Sequence, residues 1–216
     1  MYLCPSTMCL DFDNLEESVK QLDKLDIDIF HNDIMDGNFV PNITLGLNDL
    51  KTIRNATDKL IDAHLMITNP KDKVDWFIEC GVDIIYIHPE AGDGTLETLK
   101  HVKENMVAAG IAINPETTIE QIEYLLDECD YVMIMSVHPG FAGQRFIEDV
   151  MPKIEELGNL KEKYNFRLML DGACSPDKIR QCNKLGVDGF VLGTSALFKQ
   201  NRPYEQIIPE LRKLGK

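Results

Sequence analysis

Short apolar runs rich in β-branched residues alternate with longer amphipathic stretches from one end of the chain to the other. The runs Tyr2–Pro5, Ile29–Ile34, Leu60–Leu65, Ile84–His88, Gly110–Asn114, Tyr131–Ser136, Arg167–Asp171 and Gly189–Gly193 read as strands. Helical periodicity falls between them, most clearly over Leu15–Lys24, Lys71–Cys80, Thr95–Ala109, Ile119–Asp127, Ile147–Tyr164 and Pro176–Leu185, with a last helix at Tyr204–Leu214. Eight strands separated by helices, with no linker and no change of composition, predict one parallel α/β domain over residues 1–216. An open doubly wound sheet would call for fewer strands or a Gly-x-Gly-x-x-Gly turn after the first, and the chain has neither. The expected fold is a single (β/α)₈ TIM barrel with short repeats of about 27 residues.

Polar residues with chemistry collect at the C-terminal ends of these strands: Ser6, His31, Asp33, His64, His88, Asn114, Ser136, His138, Asp171, Thr194 and Ser195. In a parallel barrel that rim carries the active site, because every strand delivers its last side chains there. Any one of them alone reads equally well as a strand-end cap; histidines and aspartates at three separate ends do not. In His31-Asn32-Asp33, strand alternation sends residues 31 and 33 to the barrel interior together. A buried imidazole beside a buried carboxylate is costly without a shared partner. A divalent cation supplies one, and His64 and Asp171 complete a set of two imidazoles and two carboxylates. A metal-free acid–base cluster is the alternative.

Three loops of small residues follow the last three strands: Pro139-Gly140-Phe141-Ala142-Gly143-Gln144, Asp171-Gly172-Ala173 and Gly193-Thr194-Ser195. Backbone N–H groups in such loops can approach an anion closely, and barrels bind phosphate on this side of the rim. Met35, Met66 and Met135 lie at or just past strand ends, either as core filler or as an apolar lid over a charged intermediate. Arg145 reads as a solvated side chain.

Composition narrows the partners. With 36 acidic against 22 basic side chains the net charge is −14, which repels nucleic acid and anionic membrane. An anionic substrate must therefore be held by local backbone dipoles or a metal rather than by a basic patch. The six cysteines form no Cys-x-x-Cys pair and read as reduced thiols. No secretory leader and no membrane-length apolar stretch is present, so a cytoplasmic location is expected.

Taken together, Pro5-Ser6, the stretch from His31 to Asn42, His64-Leu65-Met66, His88-Pro89-Glu90, Asn114-Pro115, Met135 to Gln144, Asp171-Gly172 and Gly193-Thr194-Ser195 resemble the ribulose-phosphate 3-epimerase family over nearly the whole chain. The resemblance implies that His31, Asp33, His64 and Asp171 bind one divalent ion per subunit (Zn, Co, Mn, Fe or Mg). It implies further that Asp33 and Asp171 act as the acid–base pair and that Met35, Met66 and Met135 line the reacting carbon. Ser6, His64, Gly140, Phe141, Ala142, Gly143, Gly172, Ala173, Gly193, Thr194 and Ser195 would contact a small sugar phosphate, in a homo-oligomer.

Within the family, Met8-Cys9-Leu10-Asp11, Phe141-Ala142-Gly143, Ala173-Cys174 and Gly193-Thr194-Ser195 look most like the D-allulose-6-phosphate 3-epimerase branch. The expected reaction interconverts D-allulose 6-phosphate and D-fructose 6-phosphate through a metal-stabilised enediolate, with D-ribulose 5-phosphate and D-xylulose 5-phosphate as the alternative pair. Asn32 and His138 depart from the pattern at positions outside the metal and acid–base set. A decarboxylase on a similar barrel would resemble Asp-x-Lys-x-x-Asp, but Asp33-Ile34-Met35-Asp36 has no lysine. A catalytically silent sugar-phosphate-binding barrel is the reading from a different class.

Overall fold

The computed structural model describes residues 1–215; Lys216, the last residue of the expected domain, lies outside the described residues. The strands are β1 (Tyr2–Pro5), β2 (Ile29–Phe30), β3 (Asp33–Met35), β4 (Leu60–Met66), β5 (Ile84–Ile87), β6 (Ala108–Ile113), β7 (Tyr131–Met135), β8 (Arg167–Asp171) and β9 (Gly189–Leu192). All pair in parallel, in the order β1-β9-β8-β7-β6-β5-β4-β2, with β3 continuing β2 beside β4. Backbone bonds from Asp28 N to Leu3 O (3.0 Å), His31 N to Pro5 O (3.0 Å) and Thr7 N to His31 O (2.8 Å) join the first strand to the second and close the ring. The fold is the expected (β/α)₈ barrel.

Among the described residues eight α-helices cover it: α1 (Leu15–Asp23), α2 (Leu47–Ala56), α3 (Val74–Ile78), α4 (Thr95–Glu104), α5 (Ile119–Ile122), α6 (Met151–Tyr164), α7 (Pro176–Asn183) and α8 (Tyr204–Arg212). Several are shorter than their periodicity predicts. The run expected as helix to Ala109 ends at Glu104, because Met106 adopts φ +61° and Ala108 already pairs with Ile84 in the sheet. In α3 and α5 the missing turns are 3₁₀ turns, over Pro70–Asp72 and Glu123–Glu128. The expected Ile147–Tyr164 likewise opens with a 3₁₀ turn at Glu148–Val150. Helix α2 has no counterpart in the sequence reading. Its N-terminus is held by Asp49 Oδ2, which accepts from Gly46 N at 2.8 Å.

Leu, Ile and Val side chains fill the layer between helices and sheet, whereas Cys4, Ile29, Tyr86, Met133, Met169 and Val191 pack inside the barrel. Small residues face the large ones there. A Cβ on Gly110 would sit 2.7 Å from the Tyr86 ring, far inside van der Waals contact.

The N-terminal end of the barrel is closed by a repeated device. Asp28, Asp83, Asp130 and Asp188 each precede a strand and accept the backbone N–H of a neighbouring one, at Leu3, Ile61, Ala109 and Leu168, over 2.7–2.9 Å. Arg212, Arg54 and Lys161 pair with Asp28, Asp83 and Asp188. Backbone donors that no strand satisfies are thus met by charge-assisted bonds.

Candidate active site

At the C-terminal end the second strand is interrupted. His31 makes an isolated bridge to Ser6, and the ladder resumes only at Asp33. Side chains replace the missing strand bonds around Asn32. Its N–H donates to Asp62 Oδ1 (3.0 Å), its Nδ2 donates to Phe30 O (2.9 Å) and Asp62 O (2.7 Å), and its Oδ1 accepts from the Thr7 hydroxyl (2.7 Å). A polar residue is therefore required where an apolar one would fit an unbroken strand. The break lets His31 and Asp33 present both side chains to the centre, where register places Asp33 opposite His64.

The four expected ligands converge. His31 Nε2 and His64 Nδ1 each lie 3.1 Å from Asp33 Oδ1, and they lie 3.9 and 3.8 Å from Asp171 Oδ2. One donor atom from each residue fits within 4.8 Å of all the others. Ligand bonds of about 2.0–2.2 Å at tetrahedral angles put donors about 3.3–3.6 Å apart, so the set has the size for one divalent ion. Two imidazoles and two carboxylates are also the chemistry such an ion takes.

Each histidine has its outer nitrogen engaged. His31 Nδ1 faces Asp62 Oδ2 at 2.9 Å, and His64 Nε2 faces His88 Nε2 at 2.9 Å. Behind His88, Glu90 Oε2 stands 3.4 Å from Nδ1. Asp62, His64 and His88 are wholly buried. The sequence reading assigned no role to Asp62, His88 or Glu90. Asp62-Ala63-His64 repeats the same-face spacing that singled out His31 and Asp33, and that was the available signal.

The two aspartates are differently poised. Burial opposes ionisation of Asp33, but the imidazoles of His31 and His64 outweigh it and hold the carboxyl well below the usual range. Burial, and then the negative charge of Asp33, push Asp171 up to about 6. For His31, burial is outweighed by the charges of Asp62 and Asp33, so its pKa is raised. Burial leaves His88 neutral, with its pKa lowered to about 4.

Above the donors opens a cleft whose walls carry most of the expected contacts. Ser6, Asp33, Met35, Met66, Met135, Gly140, Phe141, Ala142, Gly143, Asp171, Gly172, Ala173, Gly193, Thr194 and Ser195 all line it. Ser6 Oγ donates to Asp33 Oδ2 at 2.8 Å. The three methionines are at most 4% exposed, so the cleft floor is apolar around two carboxylates. Gly172, at φ +111°, is required: a Cβ there would meet Val137 at 2.6 Å. Cys9, His138, Gln144 and Cys174 also line the cleft. His64 does not; expected to touch the substrate, it lies fully buried beneath Asp33. Among the described residues no Lys or Arg lines the cleft, so backbone dipoles are the donors its wall offers an anion.

Known proteins resemble the chain throughout its length. A sequence model described as the ribulose-phosphate 3 epimerase family matches residues 2–198. The ribulose-phosphate 3-epimerase of Bacillus subtilis is 35% identical over 213 residues, covering 97% of each chain. That of Synechocystis is 37% identical over 214 residues, covering 97% of this chain and 92% of the relative. Among solved structures, 3-keto-L-gulonate-6-phosphate decarboxylase from Vibrio cholerae superposes with TM-score 0.69 at 16% identity, covering 99% of this chain and 96% of that one. Thiamine phosphate pyrophosphorylase from Pyrococcus furiosus gives 0.66 at 19%, covering 99% and 94%. At those identities the two structures speak for the barrel alone.

Proposed function

The chain belongs to the ribulose-phosphate 3-epimerase family, and from that premise we propose that it inverts C3 of D-ribulose 5-phosphate to give D-xylulose 5-phosphate, and the reverse. The observation that carries the chemistry is the convergence of Asp33 and Asp171 on one cleft floor, with His31 and His64 within 3.1–3.9 Å of both. Epimerisation beside a ketone needs a base on one face of C3 and an acid on the other. Two carboxyls delivered to the cleft by different strands, β3 and β8, meet that need, and their roles exchange with the epimer bound.

A divalent ion held by His31, Asp33, His64 and Asp171 would supply positive charge against the charge that develops on the substrate oxygens. Ser6 orients Asp33 through its hydroxyl bond. Met35, Met66 and Met135 exclude water from the reacting carbon, which strengthens every charge interaction there. The loops at Gly140–Gly143, Gly172–Ala173 and Gly193–Ser195 offer backbone N–H groups to the phosphate.

The names of the relatives favour a pentulose phosphate over the expected hexulose phosphate. The second reading, D-allulose 6-phosphate, draws on Cys9, Ala142, Cys174 and Thr194, all on the cleft wall, with Ala142 and Thr194 in the phosphate loops themselves. A sugar longer by one CHOH shifts the distance from C3 to phosphate, and rigid strand ends cannot serve both lengths equally. Such a mismatch costs about 1–3 kcal/mol, or about 10–200-fold in kcat/KM. Steady-state assays on both sugars decide: D-ribulose 5-phosphate should lead by at least about tenfold, and the opposite ranking would move the protein to the hexulose branch.

A further inference from the structure

The contacts leading outward from His64 pose a problem of counting. Asp33 Oδ1 is 3.1 Å from His64 Nδ1, His64 Nε2 is 2.9 Å from His88 Nε2, and His88 Nδ1 is 3.4 Å from Glu90 Oε2. A neutral imidazole carries one N–H proton and one bare nitrogen. Two imidazoles between two carboxylates therefore leave three gaps and two protons.

With both rings neutral, two arrangements keep the central bond. In one, His64 donates from Nδ1 to Asp33, His88 donates from Nε2, and the bare Nδ1 of His88 confronts the Glu90 carboxylate. In the other, His88 keeps its proton on Nδ1 for Glu90, accepts from His64 at Nε2, and leaves the bare Nδ1 of His64 confronting Asp33. A cation between His64 and Asp33 converts that last gap into two ligand bonds and leaves nothing unmet. Glu90 is well placed to enforce the second arrangement. Its Oε1 accepts from Asn114 N at 3.0 Å and from the Thr117 hydroxyl, which fixes the carboxylate behind His88. His88 Nδ1 forms no hydrogen bond and the Glu90 contact is the longest of the three, so the outer joint has room to tighten.

We propose that His88 and Glu90 are positioning residues that hold His64 as its Nε2–H tautomer, with Nδ1 bare and aimed at the ion. The inference rests on the metal-dependent reading of the site and adds two residues that lie outside the cleft wall. An outer partner of this kind sets ring orientation and ligand basicity, and its loss weakens metal binding by about 10–100-fold.

Competition with a chromogenic chelator for Zn²⁺ and Co²⁺ tests it on the wild type, His88→Leu, His88→Gln and, as reference, His64→Ala. Leu fills space but cannot accept the His64 proton; the Gln amide oxygen can. His88→Leu should bind Zn²⁺ about 10–100-fold more weakly than the wild type, with His88→Gln recovering most of the loss. A merely space-filling His88 would give the reverse ranking, and His88→Leu binding as tightly as the wild type would overturn the proposal. Should His88→Leu fail to fold, ¹⁵N NMR of the zinc-loaded wild type gives the answer directly. His88 protonated at Nδ1 and His64 at Nε2 is expected; His88 protonated at Nε2 sinks the assignment. A wild type that binds no zinc or cobalt would instead overturn the metal reading itself, and with it the positioning role of His88 and Glu90.

Discussion

The two ends of the barrel handle their carboxylates in opposite ways. At the N-terminal end Asp28, Asp83, Asp130 and Asp188 each take a backbone N–H, and three of them also pair with Arg or Lys. Every lone pair that the fold needs is spoken for, and the groups are partly solvated. At the C-terminal end Asp33 and Asp171 are brought together with no Lys or Arg on the cleft wall, so their charges repel across the donor set. One end uses carboxylates to tie strands together; the other keeps Asp171 buried beside the charge of Asp33, an arrangement that folding alone does not favour. Binding and chemistry are the reason to retain the second kind.

Substitution at the two ends should therefore separate activity from stability. The largest effect is expected at the C-terminal end, where Asp33→Asn or Asp171→Asn should lower kcat by about 10²–10⁴. Circular dichroism should remain that of the folded protein, and metal content of each mutant tells proton transfer from lost ligation. A folded Asp33→Asn protein with wild-type kcat would remove that residue from the chemistry. At the other end Asp83→Ala strands the Ile61 N–H and leaves the Arg54 guanidinium with backbone carbonyls as its only partners, at a cost of about 1–3 kcal/mol. Urea unfolding should show a lower midpoint at unchanged slope, while kcat stays at the wild-type value. A change in kcat without a change in midpoint would erase the contrast.

How much of this contrast was legible in the sequence follows from the range over which each signal acts. The barrel and the convergence of His31, Asp33, His64 and Asp171 as candidate donors were readable, because alternation and strand ends are properties of a few consecutive residues. Asp62 and His88 were not assigned, since their work depends on which nitrogen of a distant imidazole each one faces, 31 and 24 residues away. The acidic closure of the N-terminal end is likewise a pairing between neighbouring strands, invisible in any single run. Helix α2 escaped because Gly46 supplies no capping side chain of its own and its apolar stripe is narrow, with only Leu50 and Ile53 fully buried. Helix α4 was read too long because Val107-Ala108-Ala109 continues an apolar pattern that the backbone abandons at Met106.

A smaller effect sharpens the comparison in acid. Asp171, raised to about 6 from its ordinary 3.8, binds a proton more readily in the folded than in the unfolded chain. Its contribution to stability is thus fully present below about pH 4 and is lost as pH rises through about 6. Metal-stripped protein should show that decline in its unfolding free energy, and Asp171→Asn should flatten it. A slope unchanged by the substitution would assign the decline to another group.

The break in the second strand has a spectroscopic consequence. In an ordinary ladder the N–H of Asn32 would report on a carbonyl of the adjacent strand, but here it shares the Asp62 carboxylate with the imidazole of His31. An ion on His31 Nε2 would draw electron density through the ring from that carboxylate behind it, and so would alter the polarisation of one particular main-chain amide. The Asn32 cross-peak in a ¹H–¹⁵N spectrum should then serve as a resident indicator of ion occupancy, read from a wholly buried position and without a label placed among the candidate donors.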